Sequence, residues 1–339
     1  MRIPLARGEI RGSLTAAFEG CTNVLVLTHD NPDPDAIASG YALRETLEFL
    51  LPLRATLAFG GMIGRAENRA MVQVLEIGPT PLTTVALDEF DGVALVDTQP
   101  GTGNNSLPES VPLRAVIDHH PARTDFEAAH VDIRTNYGAT ATMMTEYASI
   151  LGMEMPQSLA TALFYAIRSE TQDLGREASE PDRMAYFYLL ARADMRAVAQ
   201  IQRARVPRDY FRAFRTAVDG AQVVENVVFT DLGVVGSADM VAEIADFLLR
   251  LQGAEWAFAV GRNENTLTVS LRTTDPYAHA GRLIREAVHG LGTAGGHGSM
   301  AGGQVPVTDK NHEEIADKVR QRLLEVIGVG GKSAESLLR

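Results

Sequence analysis

The stretch Leu113-Arg114-Ala115-Val116-Ile117-Asp118-His119-His120 decides the fold, because a short apolar run ends in three residues that can bind metal or phosphate. A run of this length and character is typical of a buried strand in a parallel sheet. Two further apolar runs end in the same types of residue: 24–28 before His29, Asp33 and Asp35, and 93–96 before Asp97. Because ligands bind at the carboxyl ends of parallel strands, these side chains are predicted to converge on one site.

The rest of the chain predicts two domains. Over residues 14–190, short apolar runs alternate with stretches of helical period such as 36–50 and 139–151, which predicts βαβ units and a parallel, Rossmann-like sheet. After Gly220 the pattern changes to paired strands and helices, which predicts a smaller α/β domain of mixed sheet. We predict a first domain over 1–190, a helical connector over 191–220 and a second domain over 221–339.

In the second domain, strand patterns and turn residues predict specific pairings. We expect 222–229 to pair with 232–237, and 256–261 to pair with 266–271 across the turn at Asn263-Glu264-Asn265. Helices are expected over 240–251 and 279–291. The last residues, 328–339, are expected to form a loose tail.

The composition of the chain disfavours several classes of function. The chain has 339 residues, 45% of them hydrophobic, and a formal net charge of −12, which disfavours a general binder of duplex nucleic acid. Cys21 is the single cysteine, and neither an apolar run of membrane-spanning length nor a signal-peptide pattern in 1–20 is present, so a cytoplasmic protein without membrane contact is expected. Nine arginines between Arg176 and Arg215 indicate either a solvated face or a phosphate-attracting wall.

The residue types after the first strand favour a hard metal ion. Two prolines stiffen the segment from His29 to Asp35, so that an imidazole and several carboxylates can meet at one point. This set, without thiolate, suits Mn²⁺ or Mg²⁺ better than structural Zn²⁺, although Zn²⁺ and Co²⁺ stay possible. With Asp97 and His119 the ligands suffice for two metals. Alternatively, Asp33, Asp35 and Asp97 cap helices and the Asp-His-His triplet forms a turn.

The segments 29–36, 96–98 and 118–120 resemble the first three signatures of the DHH phosphoesterases. The resemblance covers nearly the whole chain. It implies two Mn²⁺ ions per site, with Mg²⁺ or Co²⁺ as possible substitutes. It also implies a role for each residue, in which His29 and Asp33 hold one metal, Asp35 and His119 hold the other, Asp97 bridges both, His120 faces the substrate and Asp118 orients a ligand histidine.

The fourth signature of the family is an aspartate in a turn after a helix. The matching stretch here runs from Ala166 to Leu174 and carries Glu170 at the aspartate position. The resemblance therefore implies that Glu170 is a further metal ligand, unless Asp173 takes that part or Glu170 is a plain carboxylate at a helix end.

In the second domain, Ser270 and Arg272 share one face of a predicted strand, and six of the twelve residues in 292–303 are glycine. Both features resemble the substrate-recognition signatures of the DHH-associated C-terminal domain. The resemblance implies that Ser270, Arg272, Gly295, Gly296 and His297 bind substrate. It also implies that 1–190 is a metal-binding catalytic domain and 221–339 a substrate-binding domain, with the active site in the cleft. The chain departs from the commoner Gly-Gly-His-Pro pattern, since Gly298 follows His297.

The implied activity is a hydrolase that uses a two-metal bridging hydroxide, with His120, Asp97 and Asp118 as its catalytic residues. The implied branch cleaves short oligoribonucleotides, 3′-phosphoadenosine 5′-phosphate, or both. A cyclic-dinucleotide phosphodiesterase or an exopolyphosphatase stays open, and an inorganic pyrophosphatase is disfavoured because the Gly-Gly-His loop is present. A nucleotide sensor without turnover is the alternative of a different class. A homodimer is possible.

Overall fold

The computed structural model describes residues 7–108, 110–275, 277–296 and 298–338. The chain forms two compact units, Met1–Ala204 and Arg205–Arg339. The elements of the first unit, in chain order, are α1 (Arg7–Ala17), β1 (Asn23–Leu27), α2 (Pro34–Leu50), β2 (Arg54–Phe59), α3 (Ala66–Val74), β3 (Thr80–Pro81), β4 (Gly92–Val96), β5 (Leu113–Asp118), β6 (His130–Ile133), α4 (Thr140–Leu151), α5 (Gln157–Glu170), α6 (Glu180–Leu190) and α7 (Met195–Gln202).

The strands of the first unit form one sheet of order β3-β2-β1-β4-β5-β6, with every neighbouring pair parallel. The predicted parallel sheet is therefore confirmed. In sheets of this kind the strand order reverses at one point, and ligands bind beside it at the carboxyl ends. Here the reversal lies between β1 and β4, the strands that lead into His29 and Asp97.

Both faces of this sheet are buried, as a parallel sheet requires. Successive residues of β1 point to opposite sides, so that Val24 and Val26 pack with the core formed by α2, α4 and α5, whereas Leu25 and Leu27 pack against the opposite face. Strands buried on both sides have no alternation of polar and apolar residues. For this reason polar side chains at the strand ends stand out in the sequence.

The elements of the second unit are α8 (Arg208–Gly220), β7 (Gln222–Val224), β8 (Val227–Val234), α9 (Asp239–Leu248), β9 (Trp256–Asn263), β10 (Thr266–Thr273), α10 (Ala280–Val288), β11 (Thr293–Gly296), β12 (Met300–Pro306), α11 (His312–Ile327) and β13 (Glu335–Ser336). They form a sheet of order β11-β12-β10-β9-β8-β7-β13, in which β8 and β9 are parallel and the other neighbours antiparallel. The predicted mixed sheet is confirmed. The predicted connector, 191–220, contains α7 and α8, and the division between the units falls between those helices.

Helices cover the two faces of the second sheet separately. Leu271 of β10 packs in one cluster with Ile284 of α10 and Val319 of α11. Ala257 of β9 packs on the other side with Ile244 of α9. Because side chains alternate along a strand, each one packs either against α10 and α11 or against α8 and α9.

Two expectations for the second unit are wrong. The first hairpin pairs 222–224 with 227–229, not 222–229 with 232–237, because the chain turns at Glu225, whose φ is +53°. The terminal residues are not a loose tail, since Glu335 pairs with Val223 and the Leu337 N–H donates to the Ala221 carbonyl. Among the described residues, no helix combines the length and apolarity needed to cross a membrane.

Candidate metal centre

The ends of strands β1, β4 and β5 bring five predicted ligands together. His29 Nε2 lies 3.8 Å from Asp33 Oδ1 and 3.7 Å from Asp97 Oδ2. On the other side of Asp97, Oδ1 lies 3.7 Å from His119 Nε2, which is 3.9 Å from Asp35 Oδ2. Asp97 therefore stands between two groups of donor atoms and contacts both.

Asp97 has an unusual backbone. Its φ is +60°, a left-handed conformation that aspartate tolerates better than most residues. The side chain is buried, and Oδ1 accepts a hydrogen bond of 2.8 Å from Thr140 Oγ1. Backbone strain of this kind concentrates at functional sites, where surrounding contacts keep it in place.

Backbone carbonyls orient the two candidate ligand histidines. The Asp30 carbonyl lies 2.9 Å from His29 Nδ1, and the Tyr137 carbonyl lies 3.1 Å from His119 Nδ1. A carbonyl only accepts, so in each ring Nδ1 carries the proton and donates it. The Nε2 lone pairs then face the carboxylates, which is the arrangement of a metal-binding histidine.

The carboxylates of the first loop are held by helix N-termini. Asp33 is the N-cap of α2, and its Oδ1 accepts from the Asp35 and Ala36 N–H groups. The capping interpretation and the ligand interpretation therefore apply to the same side chain. Asp35 is buried, and its two oxygens each accept a hydrogen bond of 2.8 Å, from the Thr140 and Ala141 N–H groups at the start of α4.

Burial and crowding of like charges leave this site short of positive charge. Burial, then the Asp33 and Glu170 carboxylates, raise the pKa of Asp35 to about 8. Burial, then Asp35 and Asp33, raise the pKa of Asp97 well above its ordinary value. Burial lowers the pKa of His29, but the hydrogen bond and charge of Asp33 outweigh it and raise that pKa to about 9. Each raised pKa means that the group binds a proton more readily, because the buried carboxylates lack a compensating positive charge.

The donor set fits a hard divalent cation. Within the described ranges, His29, Asp33 and Asp97 each offer one donor atom within 4.8 Å of the others, and Asp97, His119 and His120 form a second such group. The two groups share Asp97. Imidazole nitrogens and carboxylate oxygens, buried together and short of positive charge, are the chemistry that a cation such as Mn²⁺ satisfies.

Asp118 supports the second histidine of the triplet. Its Oδ1 accepts from His120 Nδ1 at 2.8 Å and from the His119 N–H, and its Oδ2 accepts from Gln99 Nε2. The ring that Asp118 orients is thus that of His120, whereas the ring of the candidate ligand His119 is oriented by the Tyr137 carbonyl. Gln99 was missed in the sequence, although it follows Asp97 by only two residues.

We expect Asp118→Asn to lower the pKa of His120. Burial lowers that pKa, but the hydrogen bond and charge of Asp118 raise it above its ordinary value. The protonated pair therefore stabilises the fold fully below the unfolded histidine pKa, and this contribution is lost as the pH rises through the folded pKa. Titration of the His120 ring by NMR should show the fall, whereas Asp125→Asn, at an exposed carboxylate, should leave it unchanged. An unaltered His120 titration in Asp118→Asn would contradict this assignment.

The structure places the two candidates for the fourth signature differently. Asp173 pairs with Arg168 at 2.5 Å, and Tyr186 donates to it. The charge of Glu170 raises the pKa of Asp35, but Glu170 Oε1 lies 3.1 Å from Arg176 Nη2, and Glu170 belongs to neither group of candidate donor atoms among the described residues. Burial and then Asp33 raise the pKa of Glu170 itself. Of the two, Glu170 is the carboxylate coupled to the candidate ligands.

A buried aspartate on α6 fixes the start of α4. Asp182 accepts hydrogen bonds from the Gly138 N–H, Thr142 Oγ1, and both the N–H and hydroxyl of Ser179. A Cβ at Gly138 would lie 2.9 Å from Asp182 Oδ2. Asp182 therefore sets the position of the N–H groups that hold Asp35. Only the capping pattern Ser179-Glu180-Pro181-Asp182 could have indicated it in the sequence.

In the second unit, the predicted substrate residues Ser270 and Arg272 contact each other. Arg272 Nη1 donates to Ser270 Oγ at 2.7 Å, and Nε pairs with Asp246 Oδ1 of α9 at 2.5 Å. No pattern in the sequence indicates this role of Asp246. Gly295 and Gly296 lie in β11, opposite Gly302 and Ala301 of β12, and His297 lies outside the described residues.

At Gly296, φ is +144°, and a Cβ would lie 2.4 Å from the Ala301 Cα. A side chain is therefore excluded at this position both by backbone conformation and by space. Gly295, by contrast, has no atom within 4 Å of a Cβ built on it. A Cβ at Gly292, the first residue of the segment, would lie 2.0 Å from the Gln304 carbonyl oxygen, so Gly292 is required as well. The glycine-rich segment thus pairs as strands and includes two glycines that no other residue could replace without a shift of the backbone.

Comparison with known families gives two matches. The model described as DHH family, N-terminal domain, matches residues 23–167, and the DHHA1 domain model matches residues 224–325. An uncharacterised protein of Methanocaldococcus jannaschii is 34% identical over 316 residues, covering 90% of this chain and 64% of the relative. A probable manganese-dependent inorganic pyrophosphatase of Bacillus cereus is 29% identical over 235 residues, covering 64% of this chain and 75% of the relative.

Solved structures share the fold. An exopolyphosphatase-related protein from Bacteroides fragilis superposes with a TM-score of 0.71 at 15% identity, covering 93% of this chain and 95% of that one. RecJ from Thermus thermophilus, solved with Mn²⁺, gives a TM-score of 0.56 at 16% identity, covering 95% of this chain and 55% of RecJ. At these identities the likeness concerns the architecture alone.

Proposed function

Because the chain belongs to the DHH family, we propose that it is a metal-dependent phosphoester hydrolase. The observation that carries the proposal is the position of Asp97, whose two oxygens lie 3.7 Å from the Nε2 atoms of His29 and His119. A carboxylate between two sets of donor atoms is the arrangement required to hold two divalent cations side by side.

The residues divide into two metal positions. His29 and Asp33 would hold one ion, Asp35 and His119 the other, Asp97 would contact both, and Glu170 would complete the set. When bound, such ions lower the pKa of water and polarise phosphoryl oxygens. Manganese is the proposed metal, on the chemistry of the donors and the relation to probable manganese-dependent pyrophosphatases.

The remaining residues act on the phosphate and the rest of the substrate. His120 carries a proton on Nδ1 toward Asp118, and Asp118 keeps the pKa of the ring raised, so that a cationic imidazole can stabilise charge on phosphoryl oxygens. Arg272 presents a guanidinium whose Nε is held by Asp246 and whose Nη1 is held by Ser270. A guanidinium fixed in this way is suited to a directed phosphate contact rather than to proton transfer.

For the substrate, we propose short oligoribonucleotides, 3′-phosphoadenosine 5′-phosphate, or both. The net charge of −12 disfavours long duplexes, whereas one arginine and one serine on a strand face suit a single terminal phosphate. The second candidate is a phosphoanhydride hydrolase such as an exopolyphosphatase. The observation that favours it is the 29% identity to a probable inorganic pyrophosphatase over 235 residues.

The test is a panel of substrates at fixed Mn²⁺: a diribonucleotide, 3′-phosphoadenosine 5′-phosphate, a cyclic dinucleotide, polyphosphate and diphosphate. We expect mononucleotide or phosphate release from the first two at rates at least about 100-fold above the others, since a site built for one phosphate position discriminates by several kcal/mol. Preferred cleavage of polyphosphate or diphosphate would favour the second candidate. Tight binding of a nucleotide without turnover of any substrate would indicate a sensor.

A further inference from the structure

A cationic pocket lies on the second unit between α10 and α11. Its volume is about 460 Å³, and it is lined by Arg282, Arg285, Glu286, His289 and Arg322. The first four positions are spaced by three, one and three residues and so share one face at the end of α10, and Arg322 reaches them from α11. Three arginines thus face one glutamate, in a chain whose net charge is −12.

The arginines of this pocket lie beside one carboxylate, that of Glu286. In the part of the chain that the structure describes, neither Arg282 nor Arg285 has an ion pair within 4.0 Å. Arg322 is fixed differently, because its Nη1 donates to the Ala287 and His289 carbonyls at 3.1 and 2.9 Å. One guanidinium is therefore fixed at the end of α10, and two others are exposed beside it. Arginines grouped in this way repel one another unless an anion lies between them.

This pocket is separate from the residues predicted to bind substrate. Arg272 points to α9, where it meets Asp246, whereas its strand neighbour Leu271 points to the opposite face and packs against Ile284 of α10. The helix nevertheless begins at the glycine-rich segment, since the Ala280 N–H donates to the Gly298 carbonyl at 3.0 Å. The pocket and Arg272 thus lie on opposite faces of the same sheet.

We propose that the pocket between α10 and α11 binds a compact anion with adjacent phosphate groups, such as inorganic diphosphate or the diphosphate end of a nucleotide. Guanidinium groups form forked, charge-assisted hydrogen bonds with phosphate oxygens, and three of them can engage two phosphates. The volume lies within the range of small-molecule sites, about 300 to 1,000 Å³. Among the described residues no Phe, Tyr or Trp side chain lines the pocket, so the guanidinium contacts to phosphate are expected to dominate recognition over stacking of a base.

Calorimetric titration of the full chain with diphosphate, in EDTA at about 0.15 M salt, tests the proposal, because without metal the candidate metal centre cannot take part. We expect one saturable site in wild type. Binding should weaken at least about 10-fold in Arg282→Ser/Arg285→Ser, which removes two phosphate contacts. Arg285→Lys keeps the charge but loses the forked hydrogen bonds of the guanidinium. Its affinity for diphosphate should lie between those of wild type and of the double variant. Arg250→Gln, at an exposed arginine of the same unit, and Asp97→Asn, in the candidate metal centre, should bind as wild type does.

Parallel titrations with ADP, AMP and phosphate identify the source of the anion. Tighter binding of ADP than of diphosphate would indicate a nucleotide, and the reverse would indicate an inorganic anion. Absence of saturable binding below about 1 mM, a concentration that corresponds to a binding free energy of only about −4 kcal/mol, overturns the proposal. Arg250→Gln tests the effect of net charge alone. If it weakens binding as much as the double variant does, the proposal is overturned as well. Failure of the hydrolase proposal would leave these results unaffected, since they are obtained without metal or turnover.

Discussion

Asp97→Asn is expected to reduce Mn²⁺-dependent phosphoester hydrolysis by at least about 1,000-fold, an effect of about 4 kcal/mol on the barrier. The asparagine keeps the left-handed backbone at φ +60°, which asparagine tolerates, and can still accept the hydrogen bond of Thr140. It removes the charge that lies between the His29 and His119 donor groups. His119→Ala should abolish activity similarly.

The same substitution should affect stability with opposite signs in the absence and presence of metal. The raised pKa of Asp97 means that ionising this carboxylate opposes folding at neutral pH and above, so without metal Asp97→Asn should unfold at the same temperature as wild type or higher. With Mn²⁺ at about 100 times its dissociation constant, wild type should gain about 2.7 kcal/mol and the variant should not. Thermal unfolding with EDTA and with Mn²⁺ measures both effects. Full hydrolytic activity in Asp97→Asn would contradict the assignment of the metal centre.

Asp182→Ala is expected to destabilise the first unit by about 3 to 5 kcal/mol, because it leaves the buried Gly138 N–H and Thr142 hydroxyl without their acceptor and also removes the cap of α6. Ser179→Ala is the matched control. It removes one side of the capping box and leaves Asp182 in place, so it should cost only about 1 kcal/mol. Because the N–H groups that hold Asp35 shift, Mn²⁺ affinity should also fall by about 10- to 100-fold.

The single tryptophan makes this measurement selective. Trp256 lies in β9 of the second unit, so its fluorescence reports that unit, whereas far-UV circular dichroism reports helices of both. We expect the dichroism transition of Asp182→Ala to move to lower denaturant while the Trp256 transition stays in place. Equal destabilisation by Ser179→Ala and Asp182→Ala would show that the cap of α6 alone accounts for the effect.

The parallel sheet and the grouping of His29, Asp97 and His119 could be predicted from the sequence for one physical reason. Strands buried on both faces are apolar throughout, so polar residues mark their ends, and parallel strands place those ends at one edge. The strand order β1-β4-β5 then makes them neighbours. Local residue types and a general topological rule were sufficient.

The residues that fix the geometry could not be predicted in this way. The Tyr137 carbonyl that orients His119 is a backbone atom, which every residue type supplies. Asp182 accepts a hydrogen bond from Gly138, 44 residues away, and Asp246 accepts one from Arg272, 26 residues away. Residues so far apart in the chain share no periodic sequence pattern. The hairpin at Glu225 was misplaced because glutamate at positive φ is not a residue that the common turn patterns favour.

The two hydrogen bonds that α4 makes to Asp35 span 105 and 106 residues of the chain. Contacts between residues so distant in sequence form late, because the entropy of closing a long loop must be offset first. During synthesis from the N-terminus, His29, Asp33, Asp97 and His119 emerge before the amides of Thr140 and Ala141. The nascent chain therefore holds most of the candidate metal-binding side chains before the proposed site is complete, and we expect high metal affinity to arise late in folding.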